Sequence, residues 1–136
     1  MRKRWGLAAL LALASLAVPA WAELYQYDTV TKTATVTTGA TDTALWTPAT
    51  GYRFVVQGCE FSSTVAALVE LEVSDVDVIP PQYADSYGKW QVGGGEAPIY
   101  QSAIDAVLRY TVTFSAYTPA PDTRVSILCW GYETRN

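Results

Sequence analysis

The sequence predicts an all-β protein that folds as a single antiparallel β-sandwich of jelly-roll type. After residue 22, apolar residues recur at every second position in several short stretches, which is the period of a strand with one buried face. Turns rich in Gly and Pro separate these stretches, and none of them has the period of a helix. A chain of 136 residues with this pattern is suited to one two-layer domain.

The N-terminus has the three-part pattern of a secretory signal helix. Basic residues 2–4 precede an apolar run over residues 7–18, and Ala20 and Ala22 supply the small residues that a signal peptidase recognises. We therefore expect residues 1–22 to be removed, and the mature protein to be secreted or held at the cell surface without membrane contact. An uncleaved anchor is the alternative, because residues 5–21 are just long enough to span a bilayer.

The residues that follow begin with a Thr-rich segment, which we treat as an N-terminal strand segment (23–45) preceding a sandwich domain (46–136). Threonine occupies every odd position from 29 to 37, and strict alternation of β-branched residues predicts a strand. Both faces are only weakly hydrophobic, which indicates an edge strand. Such a strand pairs within its own sheet or completes the sheet of a second copy, so we take its threonines as candidate assembly residues. These are Thr29, Thr31, Thr33, Thr35 and Thr37.

Two turns, over residues 39–42 and 47–51, are predicted next, with a short extended piece at 45–46 between them. A strand follows over residues 52–62, and its apolar face changes side after Gly58, which predicts a bulge there. Residues 65–73 alternate cleanly. Their outer face carries Glu70 and Glu72, which we expect to point away from Asp75 and Asp77. A solvated acidic surface is therefore favoured over a calcium site.

Residues 80–97 lose the alternation and predict a long loop that ends in three glycines. The loop carries the candidate contact residues Tyr83, Tyr87, Lys89 and Trp90. Aromatic rings on a loop stack on sugar rings or anchor a protein partner. The alternative is that they pin the loop onto the sandwich. Alternation then resumes over residues 104–116, and a last strand is predicted over residues 124–133.

Cys59 and Cys129 are predicted to form a disulfide. A secreted chain matures in an oxidising compartment, where paired cysteines are normally bonded. Each cysteine falls on the apolar side of its predicted strand, so the two sulfurs would meet in the core. Two buried thiols are the alternative.

Composition argues against catalysis and against nucleic acid. Without residues 1–22, 13 acidic and six basic residues remain, and a net charge of −7 repels phosphate backbones. The chain contains no His, so it has neither a Ser-His-Asp nor a Cys-His catalytic pair and no His-bound zinc. We expect a protein that is not an enzyme and that holds no cofactor and no metal. An enzyme built on paired carboxylates is a distant third interpretation.

Three segments carry a resemblance to a known family: the turn over residues 46–54, which contains Trp46, Pro48 and Gly51, the Gly-rich loop at 93–95, and the ending over residues 130–133. They resemble small jelly-roll domains of tailed-phage and prophage structural proteins. In that family a turn like that at 46–54 opens the first core strand, and an ending like that at 130–133 closes the last. The resemblance implies a jelly-roll fold and a tendency to assemble. It transfers no functional residues, and the signal sequence departs from the family.

We therefore expect a secreted, non-catalytic structural protein that self-associates into a homo-oligomeric extracellular assembly, such as a surface layer, filament or appendage. The alternative is a carbohydrate-binding module that uses the loop aromatics to hold a glycan. A virion structural protein is the distant alternative.

Overall fold

The computed structural model describes residues 28–115 and 122–135. The predicted signal helix and its cleavage site lie outside the described residues. No helix within the described ranges is long and apolar enough to cross a membrane.

Within residues 28–115 and 122–135, ten strands form two sheets, and every paired strand is antiparallel to its neighbour. Sheet A has the order β1 (Val30–Val36), β10 (Val125–Thr134), β3 (Arg53–Ser63) and β7 (Lys89–Gly93), and β8 (Tyr100–Gln101) also pairs with β3. Sheet B has the order β2 (Ala40–Trp46), β9 (Leu108–Phe114), β4 (Ala67–Val73) and β5 (Val76–Asp77), and β6 (Gln82–Ala84) also pairs with β4. The predicted all-β class with antiparallel sheets is confirmed.

The strand pairs are nested along the chain. β1 pairs with β10, β2 with β9, β3 with β7, and β4 with β6. The chain therefore resembles one long hairpin whose successive pairs alternate between the two sheets.

The core lies between the sheets, because both contribute buried apolar side chains to a single cluster. The largest fully buried side chains are Trp46, Phe54, Phe61, Leu71, Leu108 and Ile127.

The alternation predicted for β4 and β9 is confirmed within these two strands. Odd-numbered residues are buried in β4, and even-numbered residues are buried in β9. The prediction was wrong before Leu108, because residues 103–106 form a turn. Ile104 is 44% exposed, and the N–H of Asp105, at φ 59°, donates to the carbonyl of Tyr52.

The bulge predicted at Gly58 is confirmed one residue away. Trp130 pairs with Gly58 and Gly131 pairs with Val56, so Gln57 is the extra residue on β3. The extra residue shifts the alternation, which is why Phe54 and Val56 before it and Cys59 and Phe61 after it all reach the core.

The described part of the Thr-rich segment supplies an edge strand to each sheet. β1 pairs with β10 over seven consecutive residues, and β2 pairs with β9 in the other sheet. The turn predicted at residues 39–42 was wrong. Gly39, at φ 64°, redirects the chain from sheet A to sheet B, and β2 is extended from Ala40 onwards. The predicted edge position of the Thr strand is confirmed.

The long loop predicted over residues 80–97 was also wrong, because it contains β6 and β7. Lys89 and Gln91 alternate with Trp90 and Val92 across β7, as in any half-buried strand. Strands of three and five residues between prolines and glycines are too short to give a visible period.

Candidate functional site

The candidate loop aromatics do not form a common surface. Trp90 lies opposite Phe61 on the core side of sheet A, and the two rings stack with centroids 5.2 Å apart. Tyr83 belongs to β6 in sheet B and is 63% exposed, and Tyr87 is 77% exposed in the turn before β7. Tyr87 and Lys89 share a shallow depression with Arg124. Trp90 thus anchors its strand to the core, which agrees with the alternative that the aromatics pin this segment onto the sandwich.

The acidic residues converge, contrary to the sequence expectation. Ser74 and Asp75 have φ of 52° and 61°, the backbone of a tight hairpin turn between β4 and β5. This turn places Asp77 opposite Glu72, so the two side chains share a face. Carboxylate oxygens of Glu70, Glu72 and Asp77 lie within 4.8 Å of one another. The expectation was wrong because it assumed an extended chain through the turn.

The charges in this cluster are only partly balanced. Carboxylate oxygens of Asp42, Glu72 and Asp75 also lie within 4.8 Å of one another, which joins Asp42 to the cluster. Arg109 Nε lies 3.7 Å from Asp42 Oδ1, but both side chains are exposed, so this ion pair is weak. Partial removal from water, followed by the nearby carboxylates of Glu70 and Asp77 and then those of Asp75 and Asp42, raises the pKa of Glu72. Exposed acidic groups of this kind are common without an ion, and we assign no metal to them.

Replacing Glu72 with Gln should stabilise the protein at neutral pH. A raised pKa means that the folded state binds the proton of Glu72 more tightly than the unfolded state, so ionisation above about pH 4.3 costs stability. We expect Glu72→Gln to raise the urea midpoint at pH 7 and to lose that advantage as the pH falls below about 4.

The matched control is Glu96→Gln, since Glu96 is exposed and outside the cluster. It should leave the midpoint almost unchanged at both pH values. A stabilisation by Glu72→Gln that persists at pH 3 would contradict the electrostatic explanation.

Two of the three segments that carry the phage resemblance, the turn at 46–54 and the ending at 130–133, meet at one corner of the fold. Trp46 is fully buried, and its Nε1–H donates to Glu133 Oε1 at 2.9 Å. Glu133 Oε2 accepts the backbone N–H of Ala49 at 3.2 Å. The N–H of Gly51 donates to Asp105 Oδ1 at 2.6 Å. Because both oxygens of Glu133 are engaged by the turn, these residues fix the corner rather than present a binding site.

A depression with a volume of about 630 Å³ lies where β1 passes into β2. Its described lining contains five threonines and the apolar Val112 and Phe114, and no ionisable side chain. Nothing in this lining can act as a general acid or base.

Cys59 and Cys129 lie at disulfide distance, as predicted, and both are buried. They are directly opposite each other on β3 and β10, so the link joins neighbouring strands of sheet A. Directly opposed residues alternate between hydrogen-bonded pairs, with Cα atoms about 5.5 Å apart, and non-hydrogen-bonded pairs at about 4.5 Å. The Cα atoms of the cysteines are 4.1 Å apart, which identifies a non-hydrogen-bonded pair.

This pairing fixes the direction of the backbone groups on β1. The N–H and C=O of Cys129 must turn towards β1, where Lys32 lies opposite. Lys32 therefore bonds to β10, whereas the N–H and C=O of Thr31 and Thr33 point away from it. No strand in residues 28–115 or 122–135 pairs with that other side of β1. The odd-numbered threonines of β1 thus have exposed side chains, and their backbone N–H and C=O groups point away from β10.

Sequence reasoning missed Trp130. Its neighbour Cys129 faces the core, so Trp130 lies on the outer face of sheet A, where it is half-buried. The alternation with Ile127 and Cys129 was the signal that could have found it. Only the aromatic residues of the predicted loop were taken as candidates, although Trp130 lies in a regular strand.

A scan against protein-family models finds no match for this chain, and a search of curated proteins finds no relative. The function must therefore be inferred from the residues themselves.

Proposed function

We propose that this is a secreted, non-catalytic structural protein that self-associates through the open edge of β1 into an extracellular assembly. The observation that carries the proposal is the regularity of β1, which pairs with β10 over seven residues without a register shift. Its outward-facing positions are threonines, and its one charged residue, Lys32, is half-buried on the other face. An edge with so little charge and no Pro is a template for another strand.

The other sheet edges are better defended. β2 has two register shifts and carries the exposed Asp42, and both features disfavour pairing with a neighbour. The opposite edges consist of β5, β6, β7 and β8, which have only two to five residues each. The acidic hairpin lies on one of them. β1 is therefore the edge best suited to a second copy.

The jelly-roll type of the sandwich belongs to the same proposal. If the two-residue strands β5 and β8 are set aside, eight strands remain, the number of a jelly roll. The nested pairs of first with last, second with seventh, third with sixth and fourth with fifth are those of a long hairpin wrapped into two sheets. This order supports the assignment.

Secretion and lack of catalysis rest on independent support. A buried cysteine pair at disulfide distance suits an oxidising compartment. The depression between β1 and β2 has no ionisable lining among the described residues, and the chain has no His. A carbohydrate-binding module built on the loop aromatics is less favoured, because Trp90 lies apart from the tyrosines. A virion structural protein remains the distant alternative and would use the same edge.

Proline at position 33 should separate the assembled protein into folded monomers. The N–H of Thr33 points away from β10, so Thr33→Pro removes an edge donor without removing a bond within the sheet. We expect the secreted protein to sediment as an oligomer and the Thr33→Pro variant as a monomer with the same circular dichroism spectrum.

Two controls accompany this test. Thr33→Ser keeps the N–H and should remain oligomeric. Ala34→Pro removes a bond to β10 and should lower the unfolding midpoint. Deleting residues 24–38 is unsuitable, because β1 covers β10 and contributes the buried Val36. A wild-type protein that stays monomeric at high concentration, or a Thr33→Pro variant that still assembles, would refute the proposal.

A further inference from the structure

Trp130 lies flat against the outer face of sheet A. An ideal Cβ on Gly58 would be 2.3 Å from Cζ2 of Trp130, and 2.7 and 2.8 Å from the two ring atoms bonded to it, Cη2 and Cε2. An approach at the edge of the ring would leave the two flanking atoms much farther away than Cζ2, so these short distances place the face of the ring over the Cβ position. The indole therefore stacks on the bare backbone of Gly58, with its other face turned away from the sheet.

Polar side chains border this ring on several sides. Thr31 lies opposite Trp130 on β1, and the next row of the same face contains Thr33, the apolar Leu128, Glu60 and Gln91. Rows on one face of a sheet are about 7 Å apart, and directly opposed residues are about 5 Å apart. The side-chain amide of Gln91 already donates to the carbonyl of Gly93, which fixes its position. Hydroxyl, carboxylate and amide groups therefore border a flat aromatic surface.

The face is close to neutral in an acidic protein. The row beyond Glu60 contains Ser62, Ser126 and Lys89, so this part of the face carries one acidic and one basic side chain. Because these two charges are of opposite sign, such a surface has no net charge with which to attract an ionic ligand. It offers stacking area and neutral hydrogen-bonding groups instead.

We propose that this face binds a neutral glycan, with Trp130 as the stacking platform. The C–H face of a pyranose ring packs on the indole, and its hydroxyls bond to Thr31, Glu60 and Gln91. A second copy is the poorer occupant, because packing sheet against sheet would bury the Thr and Ser rows without partners. The site uses the face of the sheet and leaves the β1 edge accessible, so it is separate from self-association.

The test is affinity electrophoresis and calorimetry of the secreted protein with three neutral probes, cellohexaose, xylohexaose and chitohexaose, and with polygalacturonate as an acidic probe. We expect binding to at least one neutral probe and none to polygalacturonate. Trp130→Ala should weaken binding at least tenfold. Gln91→Ala, at an exposed position, should weaken it several-fold.

Two further variants distinguish the Trp130 face from the loop aromatics as the binding surface. Gly58→Ala places a methyl group where the ring lies and should reduce binding with Trp130 still present. Tyr83→Ala combined with Tyr87→Ala removes the exposed loop rings and should leave binding unchanged.

Three results would overturn the inference: no binding to any neutral probe at millimolar concentration, full binding by a folded Trp130→Ala variant, or loss of binding in the double tyrosine variant. Loss of the oligomer in folded Trp130→Ala would show that a second copy covers this face, and it would also refute the glycan site.

Discussion

Replacing both Cys59 and Cys129 with alanine is expected to lower the free energy of unfolding by about 4 kcal/mol. The link joins residues separated by 70 positions, and opening so large a loop increases the conformational freedom of the unfolded chain. Chemical denaturation of the two proteins at neutral pH measures the difference. The double substitution avoids leaving a single buried thiol that could pair with another chain.

Reductant supplies the control for this experiment. It should move the wild-type midpoint to that of the double variant and leave the variant unchanged. A wild-type midpoint that does not respond to reductant under denaturing conditions would show that the bond contributes nothing to stability.

Replacing Gly131 with alanine is expected to cost roughly 3 kcal/mol or more. An ideal Cβ at this position would lie 1.8 Å from the carbonyl oxygen of Val55 and 3.2 Å from the N–H nitrogen of Gln57. Both obstacles are backbone atoms of the bulged strand β3, so no side-chain rotation can make room. The pairing of β10 with β3 must open instead.

Gly95 is the matched control. The nearest atom to an added Cβ there is the nitrogen of Ala97 at 4.0 Å, so Gly95→Ala should leave the midpoint unchanged or slightly raised. Equal midpoints for Gly131→Ala and Gly95→Ala would contradict the packing explanation.

The sequence was most informative where a strand is long and buried on one side. The alternation of β4 and β9 and the change of face at Gly58 each indicate a local structure that the fold contains. Cys59 and Cys129 were correctly predicted to face the core for the same reason. Strand pairing is set by contacts between distant residues, so the sheet that each strand joins could not be read from local pattern.

The site predictions failed where backbone geometry overrides local pattern. Ser74 and Asp75 adopt positive φ without being glycine, and the hairpin they form brings together carboxylates that an extended chain would separate. Trp90 was assigned to a loop because β7 is short. Trp130 could have been assigned to the surface, but only the pairing with β3 reveals that Gly58 lies beneath it.

The position of the chain ends determines how the domain would respond to mechanical load. Val30 lies opposite Gly131, and β10 ends at Thr134, so the described chain enters and leaves at the same end of sheet A. Tension between these ends would unzip β1 from β10 one residue pair at a time rather than shear the two strands past each other. Peeling of β10 from β3 would then stop at Cys129, where a covalent bond carries the force. The disulfide therefore limits how far tension can peel β10 from sheet A.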